Sequence, residues 1–397
     1  MSAPPRSLPT SEAVAAGVRS VRLSLGRVVR AESANYVLLL GITLFMVVFG
    51  LVMVLSSSSV DSHVDDDNFF AKFWSQGSYA LIGVPLMLLV SRLPARFWRV
   101  WAWPVLGFTC LLQVLVVATP LGWGINGNRN WLTLGPVTFQ PSEMIKIALV
   151  VWLGFFLAAK ADRIGEWRYS LFPALLVSFV AVGLVMLGND LGTVMILVFI
   201  VLGALFFAGT PLRHLVATGV VVAGLAVVLA LASPSRLTRL MSFFQPHAQD
   251  FMSDGWQIQN GFFALASGGV FGVGLGNSES KWRWLPAADT DFIFAVIGEE
   301  LGLIGALLVL ALFVMLTVVF VRIVRQSPSM QGRVTTAAVM VWIVGQGLVN
   351  IAVVLGVLPV LGVPLPLISA GGTALISSLI AIGIVLSFAR ERPRGAS

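Results

Sequence analysis

Apolar runs of about 20 residues follow one another along most of this chain, separated by short polar stretches. Runs of that length mark membrane-spanning helices, because the hydrocarbon layer is ~30 Å thick and a helix rises ~1.5 Å per residue. They fall at 36–57, 75–91, 100–119, 142–159, 170–187, 190–209, 214–233, 291–321, 334–358 and 369–389. The chain is therefore expected to be an all-α polytopic membrane protein with about ten transmembrane helices and a long loop, 234–290, between spans seven and eight. The fifth and sixth runs are divided only by Gly188-Asn189-Asp190, which is either a tight turn or a break within a helix. One membrane domain spans 36–390, with tails at 1–35 and 391–397.

Composition agrees with this class. The chain is 57% hydrophobic and 11% charged, against about 25% charged residues in soluble domains. Cys110 is the single cysteine and the three histidines are scattered, so no intrachain disulfide is possible and no histidine pair is spaced to bind a metal.

The net charge of +7 follows the spans. With both tails on one side, that side holds 18 of the 25 Lys and Arg, the other holds six, and Lys146 lies within span four. The excess of positive charge marks the cytoplasm. Both termini are thus expected inside, with loop 234–290 and the acidic stretch DSHVDDDN outside. The pattern implies a membrane and no nucleic acid. Residues 1–35 contain no apolar core of about 7–15 residues before a small-residue cleavage site. Their stretch 11–30 is either a basic helix on the anionic membrane surface or a tail serving topology alone.

Chemistry is concentrated in a few polar groups. An ionisable side chain in a span costs roughly 2.5–3.5 kcal/mol. The run LPAADTDFIFAVIGEELG nevertheless places Asp289, Asp291, Glu299 and Glu300 at the start of span eight. Span four opens on Gln140-Pro141-Ser142-Glu143, a helix-start pattern, with Glu143 and Lys146 at i and i+3, where they pair with each other or offer Lys146 to an anionic substrate. Arg129 in NGNRNWLTLG suits a phosphate or an interfacial anchor. Asp190 is a helix cap or a site acid. In the outer loop, Gln257 and Asn260 share one side of a candidate helix, WQIQNGFFALA, which can lie flat on the membrane. The following GGVFGVGLGN supplies tight turns or close backbone approach; it lacks the strand–turn–helix setting of a nucleotide fingerprint. The segment VLPVLGVPLPLISAGG, ending near Ser369, has too many Pro and Gly for a continuous helix. At membrane depth it must be buried or line a polar cavity.

The motifs NGNRNWLTLG and FQPSEMIK, NDLGT, GLGNSESK, LPAADTDFIFAVIGEELG and GVLPVLGVPLPLISAGG occur in that order across ten spans. In this the chain resembles the SEDS family (shape, elongation, division and sporulation) over residues 36–390, and its FtsW branch more than its RodA branch. The resemblance implies a peptidoglycan glycosyltransferase of the bacterial cytoplasmic membrane, acting at the division septum. Its substrate would be lipid II, and its partners a class B penicillin-binding protein, the division transpeptidase, and other divisome proteins. The family's essential acid falls on Asp291, a general base for the sugar hydroxyl. Substrate contacts are expected from Arg129, Glu143, Lys146, Asp190, Gln257, Lys281 and Ser369. The leaving pyrophosphate would be neutralised by Arg129, Lys146, Arg236, Arg239, Lys281 or Arg283, or by a divalent cation, Mg or Mn. No protein-held metal site is expected. Three departures from the family pattern stand out: Asp289 replaces a common His, Asn130 a common Arg, and Asn260 a Gln. The rival reading is a transporter that flips lipid II, since broken helices and intramembrane charges also suit transport; a divisome scaffold is a third.

Overall fold

The computed structural model describes residues 33–125, 128–135, 137–231, 254–282 and 284–390. Arg236, Arg239 and Arg283, both tails for the most part, and the first part of the long loop lie outside these. The helices are α1 (Ala34–Asp66), α2 (Ala71–Val90), α3 (Ala95–Ala118), α4 (Pro141–Ala159), α5 (Phe172–Leu187, entered through one π turn), α6 (Leu191–Ala208), α7 (Leu212–Leu231), α8 (Asp254–Gly268), α9 (Ile293–Gln326), α10 (Met330–Val354) and α11 (Gly372–Ala389). Of the described helices, nine are long and apolar enough to cross a membrane, and α7 adds another apolar helix. Together they match the ten expected spans. The chain is a multi-pass membrane protein.

α4, α10 and α11 are the innermost helices. α4 is covered by α3, α6 and α10, and α11 packs on α2. Their cores are close-packed aromatic and branched residues such as Trp152, Trp342, Phe313 and Phe388.

Two elements depart from the expected pattern. α1 continues through the serines and most of DSHVDDDN, which was expected to be loop. The Ser57 and Ser58 hydroxyls donate to the Val54 carbonyl at 3.4 and 2.6 Å, so these polar side chains are satisfied by the helix itself and do not end it. Asp67, at φ 53°, does. Between α3 and α4 the chain forms an antiparallel sheet of β1 (Gly122–Ile125), β2 (Asn128–Leu134) and β3 (Val137–Phe139), in the order β1-β2-β3, with Leu132 opposite both Gly122 and Phe139. The all-helical expectation contained no sheet. β2 is pinned to the α5–α6 connection, because the Arg129 amide donates to the Gly188 carbonyl at 2.9 Å. That connection is a tight turn, with Asn189 at φ 63°.

α9 is broken at Gly302 (φ 67°, ψ −162°). The glycine-rich segment after α8 lies against the break. Val273 and Gly274 amides donate to the Glu299 and Glu300 carbonyls, both at 3.0 Å, and the Leu303 amide donates to Gly269 at 2.9 Å. These bonds satisfy backbone groups that a broken helix would otherwise leave exposed. The approach needs glycine: a Cβ on Gly272 would sit 2.1 Å from the Glu300 carbonyl oxygen.

Candidate active site

The loop before α9 carries Asp289 and Asp291, and it is fixed mainly through its backbone. The Asn350 amide on α10 donates to the Asp291 carbonyl at 2.7 Å and to the Val363 carbonyl at 2.8 Å. The Ser369 hydroxyl donates to Thr290 at 2.6 Å and accepts from the Leu365 amide at 2.8 Å, while the Ala370 amide donates to Asp289 at 2.9 Å. Ala287, at φ 57°, turns the chain into this loop. The Pro/Gly segment 355–371 is likewise non-helical and held by its neighbours. Gln346 donates to Pro364 at 2.9 Å, and Gln76 on α2 donates to Ser369 at 3.1 Å and accepts from Gly371 at 3.1 Å. Ser369 therefore joins the two loops.

Beside them lies a cavity of about 50 Å³ lined by Gln140, Glu143, Lys146, Asp190, Gln346 and Gly362. Gly362 connects it to Asp291, whose Oδ2 would lie 3.8 Å from a Cβ at that glycine. Glu143 and Lys146 form an ion pair at 2.6 Å and are both buried. Lys146 also donates to Gln346 at 3.2 Å and sits 4.9 Å from the Trp342 ring centre, and Glu143 accepts from Ser377 at 2.8 Å. Asp190 caps α6 by accepting from the Thr193 amide at 2.9 Å and also accepts from Gln140 at 3.0 Å. It is thus both helix cap and cavity wall. Burial raises the Asp190 carboxyl, opposed by the Thr193 hydrogen bonds and Lys146.

A second cavity, of about 310 Å³, is mostly apolar. It is lined by Tyr79, Ile82, Phe139, Ile147, Ile376 and Ile380, and meets the first at Glu143.

Other expected contacts lie elsewhere. Arg129 turns back into its own hairpin, donating to Gly122 at 3.0 Å and to Thr119. Lys281 is buried, donates to Gly276 and lies 4.0 Å from Glu300. Glu300 accepts from Ser56 at 2.7 and 2.6 Å, and Glu299 from Ser278 and from the Glu279 amide at 2.9 Å. These two acids hold the glycine-rich segment. Gln257 lies half-buried on α8, and Asn260 donates to Trp256 within that helix. The residues that sequence reading passed over are Gln346, Asn350 and Gln76. Gln346 and Asn350 had left a signal, two amides one turn apart in an apolar helix.

Asp291 differs from the other acids. Among the described residues no hydrogen bond or ion pair reaches its carboxylate. Its pKa is pushed from 3.8 to about 7 by burial first, then by the charges of Asp289 and Asp190. A carboxyl of this kind is poised to exchange a proton near neutral pH.

Among the described residues, nine membrane-length helices and a further apolar one, a polar cavity between α4, α6 and α10, an uncommitted aspartate and an apolar cavity beside it define a polytopic membrane protein with a buried polar site. Residues 36–394 match the FtsW/RodA/SpoVE family, described as cell cycle protein, and the chain belongs to this SEDS family. It is 36% identical over 386 residues to a probable peptidoglycan glycosyltransferase FtsW of Mycobacterium tuberculosis, covering 97% of this chain and 74% of that one. It is 38% identical over 355 residues to the stage V sporulation protein E of Bacillus subtilis, covering 89% and 96%. Among solved structures it resembles a chain from a peptidoglycan synthase complex studied for its coordination of polymerization and crosslinking, with TM-score 0.74, 27% identity, and 91% and 99% coverage. It also resembles the rod shape determining protein RodA of Thermus thermophilus, with TM-score 0.64, 28% identity, and 90% and 97% coverage.

Proposed function

We propose that this chain polymerises lipid II into glycan strands at the outer face of the bacterial cytoplasmic membrane during division, both termini being cytoplasmic. Asp291 is the general base. The observation that carries this reading is the uncommitted Asp291 carboxylate. Asp190, Asp289, Glu143, Glu299 and Glu300 all have partners; Asp291 is fixed by its backbone and keeps its side chain for substrate.

In the reaction, Asp291 takes the proton of the acceptor sugar's 4-hydroxyl as that oxygen bonds to the donor's anomeric carbon. The anomeric bond to the lipid pyrophosphate breaks, and configuration inverts to a β-1,4 link. A positioned base of this type contributes about 10²–10⁴-fold. The apolar cavity beside Glu143 suits part of the polyprenyl chain. Arg129, Lys281 and Lys146 are all engaged with protein groups, but Lys146 and Gln140 line the cavity beside Asp291 and are the better placed polar contacts. Among the described residues no three His, Cys, Asp or Glu side chains converge as metal ligands. A divalent cation at the pyrophosphate would take most of its ligands from the substrate and water.

The partner is a single-span class B penicillin-binding protein, docking on α9 and α10 and touching the 234–290 loop. It acts by favouring the active arrangement of the loop, and a tenfold stimulation needs only about 1.4 kcal/mol of differential binding. The test is glycan synthesis from lipid II by the purified pair in detergent, where flipping has no meaning. Polymer formed by the native chain and none by Asp291→Asn is expected. Absence of polymer with folded native protein and partner would return the transporter reading to the front.

A further inference from the structure

Asp289 lies two residues from the proposed base, in the same loop, and its side chain is only 8% exposed. A second carboxylate so placed opposes ionisation of the first. Its charge is met from a different element. The Lys72 ammonium, in the first turn of α2, lies 3.0 Å from Asp289 and 3.7 Å from Asp61 near the end of α1. The α1–α2 corner is thus clamped to the loop by one cation shared between two acids. Ser369, Ala370 and Asn350 hold the loop's backbone, and Lys72 meets its Asp289 side chain. The charged groups bearing on Asp291 are Asp289 from its own loop and Asp190 from the start of α6; Lys72 faces Asp289 and Asp61, and Lys146 and Glu143 bear on Asp190.

We propose that Lys72 is a positioning residue which grips Asp289, holds the Asp291 loop in place and offsets the Asp289 charge that Asp291 faces. This rests on the reading of Asp291 as the base. It also assigns a role to Asp289, which ties the loop to Lys72.

The test is a double-mutant cycle of Lys72→Met and Asp289→Asn in the full-length chain, with Lys72→Arg as the conservative variant in case Lys72→Met folds poorly. Two readouts are taken. The first is the pH profile of glycan synthesis. Lys72→Met should move its acid limb up by roughly half a unit to one unit, Asp289→Asn should move it down, and the double variant, which removes the ion pair whole, should lie near the native limb. Lys72→Arg should restore the native limb. The second readout needs no activity: the pH at which each background stops losing thermal stability relative to its own Asp291→Asn derivative. That pH tracks the Asp291 carboxyl and should move with the limb. A double variant whose limb stays far from native, or a uniform loss of rate at every pH with the limb unmoved by Lys72→Met, would overturn the proposal. If the thermal readout shifts as expected while Asp291→Asn still polymerises, the coupling stands and the assignment of the base fails.

Discussion

Removing the Asp291 carboxylate tests its chemistry and its surroundings together. Asp291→Asn should lower glycan synthesis by 10²-fold or more in a folded protein. If Asp291 is the base, kcat/KM of the native chain should rise about tenfold per pH unit below about 7 and level off above, since a base works ionised and burial pushes this carboxyl to about 7. Stability should follow the opposite sign. The folded carboxyl holds its proton up to about 7, and the unfolded one releases it near 3.8. Protonation therefore favours the folded state, and stability is lost as pH rises through this window. Asp291→Asn should stabilise the chain more at pH 8 than at pH 4, which thermal unfolding at the two values would reveal. Lys146 calls for a different expectation. Its ion pair with Glu143 is buried, so Lys146→Met strands a carboxylate and should cost roughly 3–5 kcal/mol. Adding Glu143→Gln should recover part of that loss; strictly additive unfolding shifts would show that the two residues do not act as a pair.

The broken α9 and the glycine-rich segment against it form one unit, and its glycines are not equivalent. Gly272 and Gly276 share φ near +81°, yet a Cβ on Gly272 meets the Glu300 carbonyl oxygen at 2.1 Å while one on Gly276 meets nothing within 4 Å. Gly276→Ala should cost only the left-handed backbone penalty, about 1–2 kcal/mol. Gly272→Ala adds an overlap with backbone that cannot move aside, and should abolish folded protein or lower its melting temperature far more. Size-exclusion profiles and melting curves of the two variants in detergent would separate these outcomes. The loops before α9 and before α11 depend on each other in the same way. Ser369 is bonded to both, so Ser369→Ala would leave the buried Leu365 amide unpartnered, a cost of about 1–3 kcal/mol, and would free the half-buried Thr290 carbonyl.

Across the whole molecule, orientation decides which face holds the chemistry. In a chain carrying Cys110→Ala, a cysteine placed by Asp67→Cys after α1 should react with an impermeant thiol reagent added outside. One placed by Asp162→Cys after α4 should react only in opened cells. Both positions are exposed. The reverse labelling would put Asp291 on the cytoplasmic face, where exported lipid II cannot be polymerised. Partner dependence is also a property of the whole assembly. If the proposed transpeptidase contact shifts a population and supplies no reacting group, stimulation should survive loss of the partner's nucleophile. A requirement for that nucleophile would mean that the partner contributes chemistry.

Span number, span order and the acids at the head of α9 were legible in the chain itself, because hydrophobic length is a property of each segment taken alone. So was the Glu143–Lys146 pair, whose i, i+3 spacing is local, and the cap at Asp190. The sheet at 122–139 was not: its strands are short, and helical spans on either side dominate the hydropathy. Nor was the fate of Arg129 and Lys281, cations that look free in the sequence and are satisfied by carbonyls of their own turns. The clamp between Lys72 and Asp289, the Asn350 bond to Asp291 and the Gln76 bonds to the segment before α11 join residues far apart in the chain. Hydrophobicity decides that each helix enters the membrane. Which buried polar group meets which depends on how the helices pack against one another, and only the packed structure makes those choices.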